Sequence, residues 1–403
     1  MELLDCEHRT PPDAGCGYPY IAIPQIRDGH LDLSGARRVS HEHYVEWTRK
    51  AKPQPHDVLL SRRCNPGETA VVPSNLECVL GQNLVILRAD GTRIAPSFLR
   101  WLVRSPVWWE QVSAFINVGA VFDSLRCADI PSFRLPIPPE SEQLRIAAIL
   151  DALDDRIELN RRMNRTLESM ARAIFKSWFV DFDPVRRKME GGDPEVPNEI
   201  AHGWNATKLA ELVVVVRDTM TPQQIAGELV DHYSIPAFDD GKTPSLEMGS
   251  TIRSSKFRVP SGCVLVSRLN PRIPRVWLPR SRNERRGVCS TEFLVLLPKS
   301  PVSVEYLYGI ACSERFGEEL ASRVTGTSGS HQRVKPLDAL SIPVVLPLAS
   351  MIDAYSSVVR PVLKQAGRLL RENLVLAELR DAMLPRLLSG SVRSGSQLVG
   401  RVG

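Results

Sequence analysis

The sequence predicts a mixed α/β (α+β) chain, in which two tandem globular domains are separated by two long helices that form an antiparallel coiled coil. Three observations lead to this fold class. Short segments recur in the same order at offsets between 205 and 212 residues. Two long stretches place apolar residues at heptad spacing. A segment rich in proline, glycine and charged residues divides the chain near its middle.

The composition is that of an ordinary globular protein. The chain has 403 residues, of which 24% are charged and 43% hydrophobic, so it can form two or three domains with cores of their own. The formal net charge of +5 is compatible with a nucleic-acid partner. It does not require one, because many proteins without such partners are equally basic.

Eight cysteines are scattered without a C-x-x-C pair, and no histidine pair stands beside them at zinc-finger spacing. We therefore expect reduced thiols in a cytoplasmic protein, rather than a disulfide framework or a metal site. The first fifteen residues lack the basic start and apolar core of a secretory signal. Apolar runs such as "LVVVV" at 212–216 are too short to cross a bilayer, so we expect no membrane partner.

The repeat is carried by pairs of similar segments in the two halves of the chain. They are "AIPQIRDG" (22–29) with "SIPAFDDG" (234–241), "VLLSRRCNP" (58–66) with "VLVSRLNP" (264–271), and "SFLRWL" (97–102) with "EYLYGI" (305–310). Each half then reaches a proline-rich strand end that is followed by a long helical pattern. We interpret the chain as a tandem duplication, each half being an α/β globule followed by a helix.

Within the globules, short β-branched or aliphatic runs such as "DVLLSRR" and "EFLVLLP" predict strands. Helical periodicity begins near Pro96 and again near Val302. Trp101, Trp108 and Trp109 could stack on bases, but their spacing favours packing in a core.

These patterns give the predicted domain boundaries. They are 1–139 for the first globule, 140–182 for the first helix, 183–203 for a linker, 204–347 for the second globule, 348–390 for the second helix and 391–403 for a flexible tail.

Both predicted helices carry a seam with alternating steps of four and three residues, which is typical of coiled coils. The first seam contains Ile146, Leu150, Leu153, Ile157, Asn160, Asn164, Leu167 and Ile174. The second, 209 residues later, contains Val362, Leu369, Asn373, Leu376, Met383 and Leu387. The shared offset predicts that the two helices pair with each other.

Asparagines occupy matching seam positions, since Asn164 recurs as Asn373. A buried asparagine costs stability but fixes register, so we expect these two amides to satisfy one another across the seam. The alternative is that they face solvent. We expect Pro361 to begin or kink the second helix, and Arg380 to extend its guanidinium to water. About 35 paired residues would form a spacer on the order of 50 Å, comparable with one turn of DNA and the domains that read it.

Motifs for catalysis are absent from the sequence. "DDGKT" (239–243) lacks the earlier glycine of a phosphate loop, because Pro236 stands there. "LNPR" at 269–272 lacks the second proline and the aromatic residue of an amino-methyltransferase motif. We therefore expect no catalytic residue and no cofactor bound by this chain, although an enzyme with an unrecognised site stays an alternative.

Basic and polar residues that could contact DNA cluster after the repeated strand. In the second half they are Arg268, Asn270, Arg272, Arg275, Arg282, Arg285 and Arg286; in the first half they are Arg62, Arg63 and Asn65, with Arg37 and Arg38 upstream of the strand. Arginine suits phosphate and guanine because its planar fork bonds bidentately. The alternative is a solvated basic face.

A second loop in the second half is rich in groups that bond phosphates. Its candidate residues are Thr327, Ser328, Ser330, His331, Gln332 and Arg333. Its first-half counterpart, "VGAVFDSLR" (118–126), is less polar. Either loop could equally be a structural turn.

The segment "RLPIPPESEQLRIAAILDALDDRIELNRRMNRTLESMARAIFKSWFVDF" (134–182) resembles the central conserved region of Type I restriction-modification specificity subunits. "LRDAMLPRLLSGSV" (379–392) is similar to their distal region, and "YPYIAIPQIRDG" and "DVLLSRR" look like parts of their target recognition domains. The second half departs from the family pattern, since 346–361 lacks the expected "EQ" after its proline.

The resemblance implies a non-catalytic subunit that reads a bipartite, asymmetric DNA sequence, one half with each domain. It also implies two modification subunits, which carry S-adenosylmethionine and methylate adenine, and restriction subunits that use ATP and Mg²⁺. A stand-alone two-headed DNA-binding architectural protein is the alternative, and co-purification with a methyltransferase would exclude it.

Overall fold

The computed structural model describes residues 1–119, 122–182, 204–280, 285–325 and 332–391. The predicted linker at 183–203 and all but the first residue of the predicted tail lie outside the described residues. The chain forms two compact units. Unit 1 comprises residues 1–158 together with the chain from 374 onward, and unit 2 comprises residues 159–373. Both long helices therefore contribute to both units.

Unit 1 contains nine strands and the first helices among its described residues. The strands are β1 (Glu2–Asp5), β2 (Tyr18–Ile21), β3 (Ile26–Arg27), β4 (His30–Leu31), β5 (Arg38–Val39), β6 (Val58–Ser61), β7 (Thr69–Val71), β8 (Val79–Leu80) and β9 (Leu84–Arg88). The helices are α1 (His41–Trp47), α2 (Pro96–Leu102), α3 (Pro106–Phe115) and the start of α4 (Glu140–Phe179).

The main sheet of unit 1 is antiparallel and has the order β1-β9-β6-β7. Its central strands are continuous apolar runs because both faces of the sheet are covered. Alternate residues of β6 enter different hydrophobic clusters, with Leu60 on the face of α2 and α3 and Leu59 on the other. A smaller sheet has the order β5-β2-β8, with β2 parallel to β8.

Two of the three tryptophans of unit 1 lie in the core, as the sequence analysis predicted. Trp101 and Trp108 are fully buried, whereas Trp109 is 37% exposed. Their indole N–H groups find internal acceptors, Asp151 for Trp101 at 2.9 Å and the Gly67 carbonyl for Trp108 at 3.1 Å.

Unit 2 repeats this plan with additional strands. The strands are β10 (Asn205–Lys208), β11 (Val213–Val216), β12 (Thr219–Met220), β13 (Leu229–Tyr233), β14 (Ser245–Met248), β15 (Lys256–Val259), β16 (Val264–Ser267), β17 (Val276–Trp277), β18 (Gly287–Cys289), β19 (Phe293–Pro298), β20 (Val324–Thr325), β21 (Arg333–Val334) and β22 (Pro343–Leu346). The helices are α5 (Leu209–Leu212), α6 (Pro222–Ile225), α7 (Ile235–Asp239), α8 (Val304–Cys312), α9 (Glu314–Ser322), α10 (Pro336–Leu340) and α11 (Ala349–Leu388).

The sheets of unit 2 match those of unit 1, as a tandem duplication predicts. The order β11-β19-β16-β17 corresponds strand by strand to β1-β9-β6-β7. A second sheet, β12-β15-β18-β13-β14, keeps a parallel pair, β13 with β18, where unit 1 has β2 with β8. The helices α4 and α11 are both 40 residues long and begin 209 positions apart.

The two long helices run antiparallel. In unit 1, Leu150 near the start of α4 shares a hydrophobic cluster with Leu387 at the end of α11. In unit 2, Phe175 near the end of α4 shares a cluster with Tyr355 near the start of α11. All fourteen seam residues named from the sequence are buried or half-buried. Asn160 and Asn164 do not face solvent, being 0% and 8% exposed.

The buried seam amides are not fully satisfied. Among the described residues, neither the oxygen nor the nitrogen of the Asn160 side chain has a hydrogen-bond partner, and the oxygen of Asn164 has none either. The expected reciprocal bonding of Asn164 is therefore incomplete. The physical reason is that a tightly packed apolar seam offers few polar groups within reach, so these amides cost stability.

The second helix begins at Ala349, one residue from the predicted boundary at 348 and twelve residues before Pro361, and it continues through the proline. Pro361 therefore does not begin the helix. A proline inside a helix lacks one amide donor, which packing on both sides must offset. Arg380 does not extend to water: it is 3% exposed, and its guanidinium donates to Asp154 at 2.8 Å. A buried carboxylate partner makes exposure of the charge unnecessary.

No helix in the described part of the chain is both long enough and apolar enough to span a membrane.

Candidate nucleic-acid interface

The loop that follows β6 is held in a fixed shape by its own backbone. We call residues 61–67 the first arginine loop. Ser61 Oγ donates to the carbonyl of Arg63 at 2.9 Å, and the amide of Arg62 donates to the carbonyl of Asn83 at 2.9 Å. Cys64 adopts a left-handed conformation with φ of 63°, which reverses the chain. The loop therefore has a defined geometry.

A short hairpin is fastened to this loop. We call residues 117–119 and 122–124 the first hairpin. Asn117 and Ser124 exchange backbone hydrogen bonds of 2.8 and 3.0 Å. The next residue, Leu125, is 1% exposed and donates its amide to the carbonyl of Arg62 at 2.9 Å. The arginine loop and the hairpin thus lie side by side.

Unit 2 builds the same arrangement after β16, in the second arginine loop (267–274). Ser267 Oγ donates to the carbonyl of Leu269 at 3.2 Å, and Asn270 has a left-handed φ of 48°. The strands β20 and β21 form the second hairpin. The amide of Val334 donates to the carbonyl of Arg268 at 3.1 Å, as Leu125 does to Arg62.

Several candidate side chains are exposed. Arg63 and Asn65 lie on the first arginine loop, Arg272 lies on the second, and Arg37 precedes β5; the three arginines form no ion pair within the described parts of the chain. An exposed guanidinium without an internal carboxylate keeps its charge available to an anion. Within each unit considered by itself, such exposed side chains have the chemistry to meet phosphates and base edges.

Other candidates are only partly exposed. Arg38 lies half-buried in β5, and its guanidinium lies 3.4 Å from the carbonyl of Gly17. Arg62 is half-buried, with one nitrogen 3.5 Å from His8 Nε2. Asn270 and Gln332 are also half-buried, and the amide of Asn270 donates to the carbonyl of Gln332 at 2.9 Å. The second loop and its hairpin are therefore joined by backbone bonds at this point too.

Several candidate arginines of unit 2 have internal partners. Arg275 is 8% exposed and forms two hydrogen bonds to Asp239, of 2.7 and 2.8 Å. It therefore supports the second loop from inside, and its guanidinium is not presented to a ligand as the sequence analysis expected. Arg268 and Arg333 both reach Glu292, at 3.7 and 3.0 Å. The hydrogen bond that Arg333 donates to the Glu292 carboxylate raises the pKa of Arg333.

Arg285 and Arg286 line a cavity of about 370 Å³ in unit 2, together with Arg258 and Asp231. Arg286 lies 3.3 Å from Glu228. Five further candidates lie outside the described residues: Arg282, Thr327, Ser328, Ser330 and His331.

Several known proteins resemble this chain in sequence. A family model described as "Type I restriction modification DNA specificity domain" matches residues 12–169. The MjaIX specificity subunit of Methanocaldococcus jannaschii, a Type I restriction enzyme component, is 25% identical over 95% of this chain and 86% of its own length. The HindI specificity subunit of Haemophilus influenzae is 25% identical over 83% and 86%. Residues 12–169 thus match the Type I restriction modification DNA specificity domain, and the chain is similar over most of its length to specificity subunits of Type I restriction enzymes.

The fold of the chain is also found in a solved structure. The crystal structure of a Type I system S subunit from M. genitalium covers 96% of this chain and 93% of its own, with a TM-score of 0.55 and 15% identity. Specificity subunits are DNA-recognition components, and membership of the family implies association with DNA and with other subunits of a restriction-modification complex.

The sequence analysis missed one cluster beside the first arginine loop. His8 Nε2 lies 3.0 Å from Asp5, and its Nδ1 lies 3.5 Å from Cys6 Sγ. Ligand atoms of these residues fall within 4.8 Å of one another, as in metal sites. However, both ring nitrogens already have neighbours, and the Arg62 and Lys50 cations stand close by. The cluster fits a hydrogen-bonded support for Arg62 better than a cation site. The short spacing of "DCEH" was its only signal.

Proposed function

We propose that the two globules each read one half of a bipartite, asymmetric DNA sequence. The observation that supports this most directly is the repeated construction of an arginine loop clasped by a hairpin. In both units the same serine bond, the same left-handed turn and the same amide-to-carbonyl bond recur. The side chains on the two arginine loops differ, so the two globules would read different sequences.

The helix pair sets the spacing between the two half-sites. Its helices have 40 residues each, which corresponds to about 60 Å of helix. The packing of each end in a hydrophobic cluster resists sliding, because a shift by one residue would remove apolar side chains from their neighbours.

Two modification subunits bind the helical regions. In unit 2, α4 leaves Leu159, Met163 and Met170 between 41% and 46% exposed. These residues fall on one side of the helix, so they form an apolar strip that a partner helix can cover. S-adenosylmethionine would bind to the modification subunits, while ATP and Mg²⁺ would bind to restriction subunits that join the complex.

The strip can be tested directly. Met163→Glu with Met170→Glu should abolish co-purification of the modification subunit, because two carboxylates would be buried in the contact. Arg165→Glu, an exposed change on another side of α4, is the matched control. Retention of the modification subunit by the double variant would contradict the assignment.

The chain itself carries no catalytic step in this proposal, and adenine methylation depends on it only for the choice of site. Sequencing of methylated adenines in the host with and without the gene tests the whole function. We expect a bipartite motif to lose methylation when the gene is deleted. A methylation pattern that is unchanged by deletion would exclude the proposal.

A further inference from the structure

One apolar side chain stands out on the second arginine loop. Ile273 is 55% exposed, and its sequence neighbours Arg272 and Pro274 are exposed as well. Its amide donates to the carbonyl of Asn270 at 2.9 Å, which closes a tight turn. Prolines at 271 and 274 restrict the backbone on either side. The isoleucine is therefore held rigidly at an outward position.

The turn is anchored to the hairpin as well as to itself. Asn270 donates its amide to the carbonyl of Gln332 at 2.9 Å. A rigid support matters, because an apolar side chain on a fixed turn loses little conformational entropy when it meets a partner. Single exposed apolar residues are common on protein surfaces, so exposure alone carries no weight. The informative observation is that Ile273 lies on the second arginine loop, next to an exposed arginine.

The same relation recurs in unit 1. Phe122 is 57% exposed on the first hairpin, which is bonded through Leu125 to the backbone of the first arginine loop. In both units, therefore, an exposed apolar side chain stands next to exposed arginines: Ile273 beside Arg272, and Phe122 on the hairpin beside Arg63. Arginines of this kind attract phosphates, which makes DNA the partner that fits the charge.

We propose that Ile273 is a specificity-determining residue that makes an apolar contact with a base in the half-site read by unit 2. The inference rests on the proposed function of the two globules. In the major groove the natural partner of a branched aliphatic side chain is the methyl group of thymine. Arg272 positions the turn through a phosphate, and the isoleucine then distinguishes the base beneath it.

The test uses the complete complex with its native modification subunit in the host. Ile273→Ala should leave methylation in place but relax one position within one half of the motif, with a loss of discrimination of about fivefold or more at that position. Val214→Ala, which truncates an apolar side chain of unit 2 that is 51% exposed on β11, should leave the motif unchanged. Phe122→Ala should relax the other half.

A motif unchanged at every position by Ile273→Ala would overturn the proposal. If methylation is lost altogether, binding of the purified complex to duplexes substituted at single positions decides. A loss of preference confined to one position supports the contact, whereas a uniform loss of affinity, or a complex that fails to assemble, overturns it. Failure of the proposed function is distinguishable, because the wild-type chain would then direct no bipartite motif at all.

Discussion

The helix pair is fixed in different ways in the two units. In unit 1, the facing positions are Asp154 on α4 and Arg380 on α11, which form a buried ion pair of 2.8 Å. The residues at offset 209 in unit 2 are Leu363 and Ala171, which are buried together in an apolar cluster. A duplicated frame thus carries an ionic contact in one copy and an apolar one in the other.

The ionic end is part of a larger polar network in unit 1. Asp154, 1% exposed, also bonds Arg100 and lies 2.9 Å from His30, while Arg380 reaches Asp28 at 3.2 Å. Burial alone would raise the pKa of Asp154, but the nearby His30 ring and the Arg100 and Arg380 charges outweigh it and hold the pKa well below its usual value. The carboxylate is therefore ionised and satisfied.

The apolar end depends on aromatic packing in unit 2. Phe179 has ring neighbours in Phe175, Tyr306 and Tyr355, at centroid distances between 4.8 and 5.2 Å. A methyl group on Gly309 would overlap the ring of Phe175, so α8 approaches α4 closely there. Apolar packing supplies stability, whereas a buried ion pair contributes mainly to the choice of partner and register.

The largest effect is expected from removing an aromatic ring at the apolar end. Phe179→Ala should lower the free energy of unfolding of unit 2 by about 4 kcal/mol, because a large cavity is left in the cluster. Urea denaturation together with hydrogen exchange of α11 measures this. Val180→Ala, at a neighbouring position that is 48% exposed, is the control and should change little. Equal stability of the two variants would refute the role of the aromatic cluster.

The ionic end should be nearly as sensitive to a single change. Arg380→Met should cost about 3 kcal/mol, since it removes a partner from a buried carboxylate. The double variant Asp154→Leu with Arg380→Ala imitates the residues of unit 2 and should recover part of that loss, because Arg100, which also loses Asp154, keeps Asp151 at 3.4 Å. Chemical denaturation of both variants measures it, with the exposed Arg386→Met as control. A double variant less stable than the single one would show that the charges themselves are required.

Replacing the seam asparagines separates their effect on the stability of the helix pair from their effect on its register. Asn160→Leu should raise the free energy of unfolding by about 1 kcal/mol, because it removes a buried amide without partners. Asn164→Leu with Asn373→Leu should also strengthen the helix pair while loosening its register. Denaturation midpoints test the first effect, and relaxed spacing in the methylated motif tests the second. Weaker pairing in these variants would contradict the seam assignment.

The smallest expected effect is a dependence on pH that is confined to unit 2. Burial lowers the pKa of His232, against the opposing hydrogen bond of Glu247 at 3.1 Å. A histidine with a folded-state pKa below its unfolded value stabilises the fold above about pH 6.5 and loses that contribution as the pH falls. The thermal midpoint should therefore fall between pH 7 and 5, and less so in His232→Gln. An identical pH profile in the variant would exclude this histidine.

The contribution of Asp154 to stability also falls as the pH falls, but it does so in a lower pH range than the contribution of His232. Its depressed pKa means that its contribution is complete above the unfolded value of about 3.8 and is lost only at more acidic pH. Between pH 7 and 5 the carboxylate of unit 1 therefore stays ionised.

Sequence patterns predicted the features that repeat along the chain. The heptad seam and the offset of 209 located both long helices, because apolar periodicity is a local property. The partner of Arg380 was out of reach, since Asp154 lies 226 residues away and belongs to no periodic pattern. Arg275 looked like its neighbours in sequence, and only the fold brings Asp239 to it.

The candidate interface was predictable in part. Runs of arginine after a repeated strand marked the two loops, but the clasp between loop and hairpin consists of backbone bonds, such as Leu125 to Arg62, that leave no side-chain signature. Ile273 was hidden for the same reason, because an isoleucine between arginine and proline does not indicate whether it is buried.

The division of the chain into units has a consequence for synthesis. Unit 2 is one continuous stretch, whereas unit 1 needs residues from 374 onward, including Arg380, Leu384 and Leu387. During translation the first globule emerges first, yet it acquires its last helical segment only after all of unit 2 has been made. A nonsense codon shortly after 373 would leave unit 2 complete. Unit 1 would then expose the apolar face that Leu384 and Leu387 cover, and Asp154 would lose its partner Arg380.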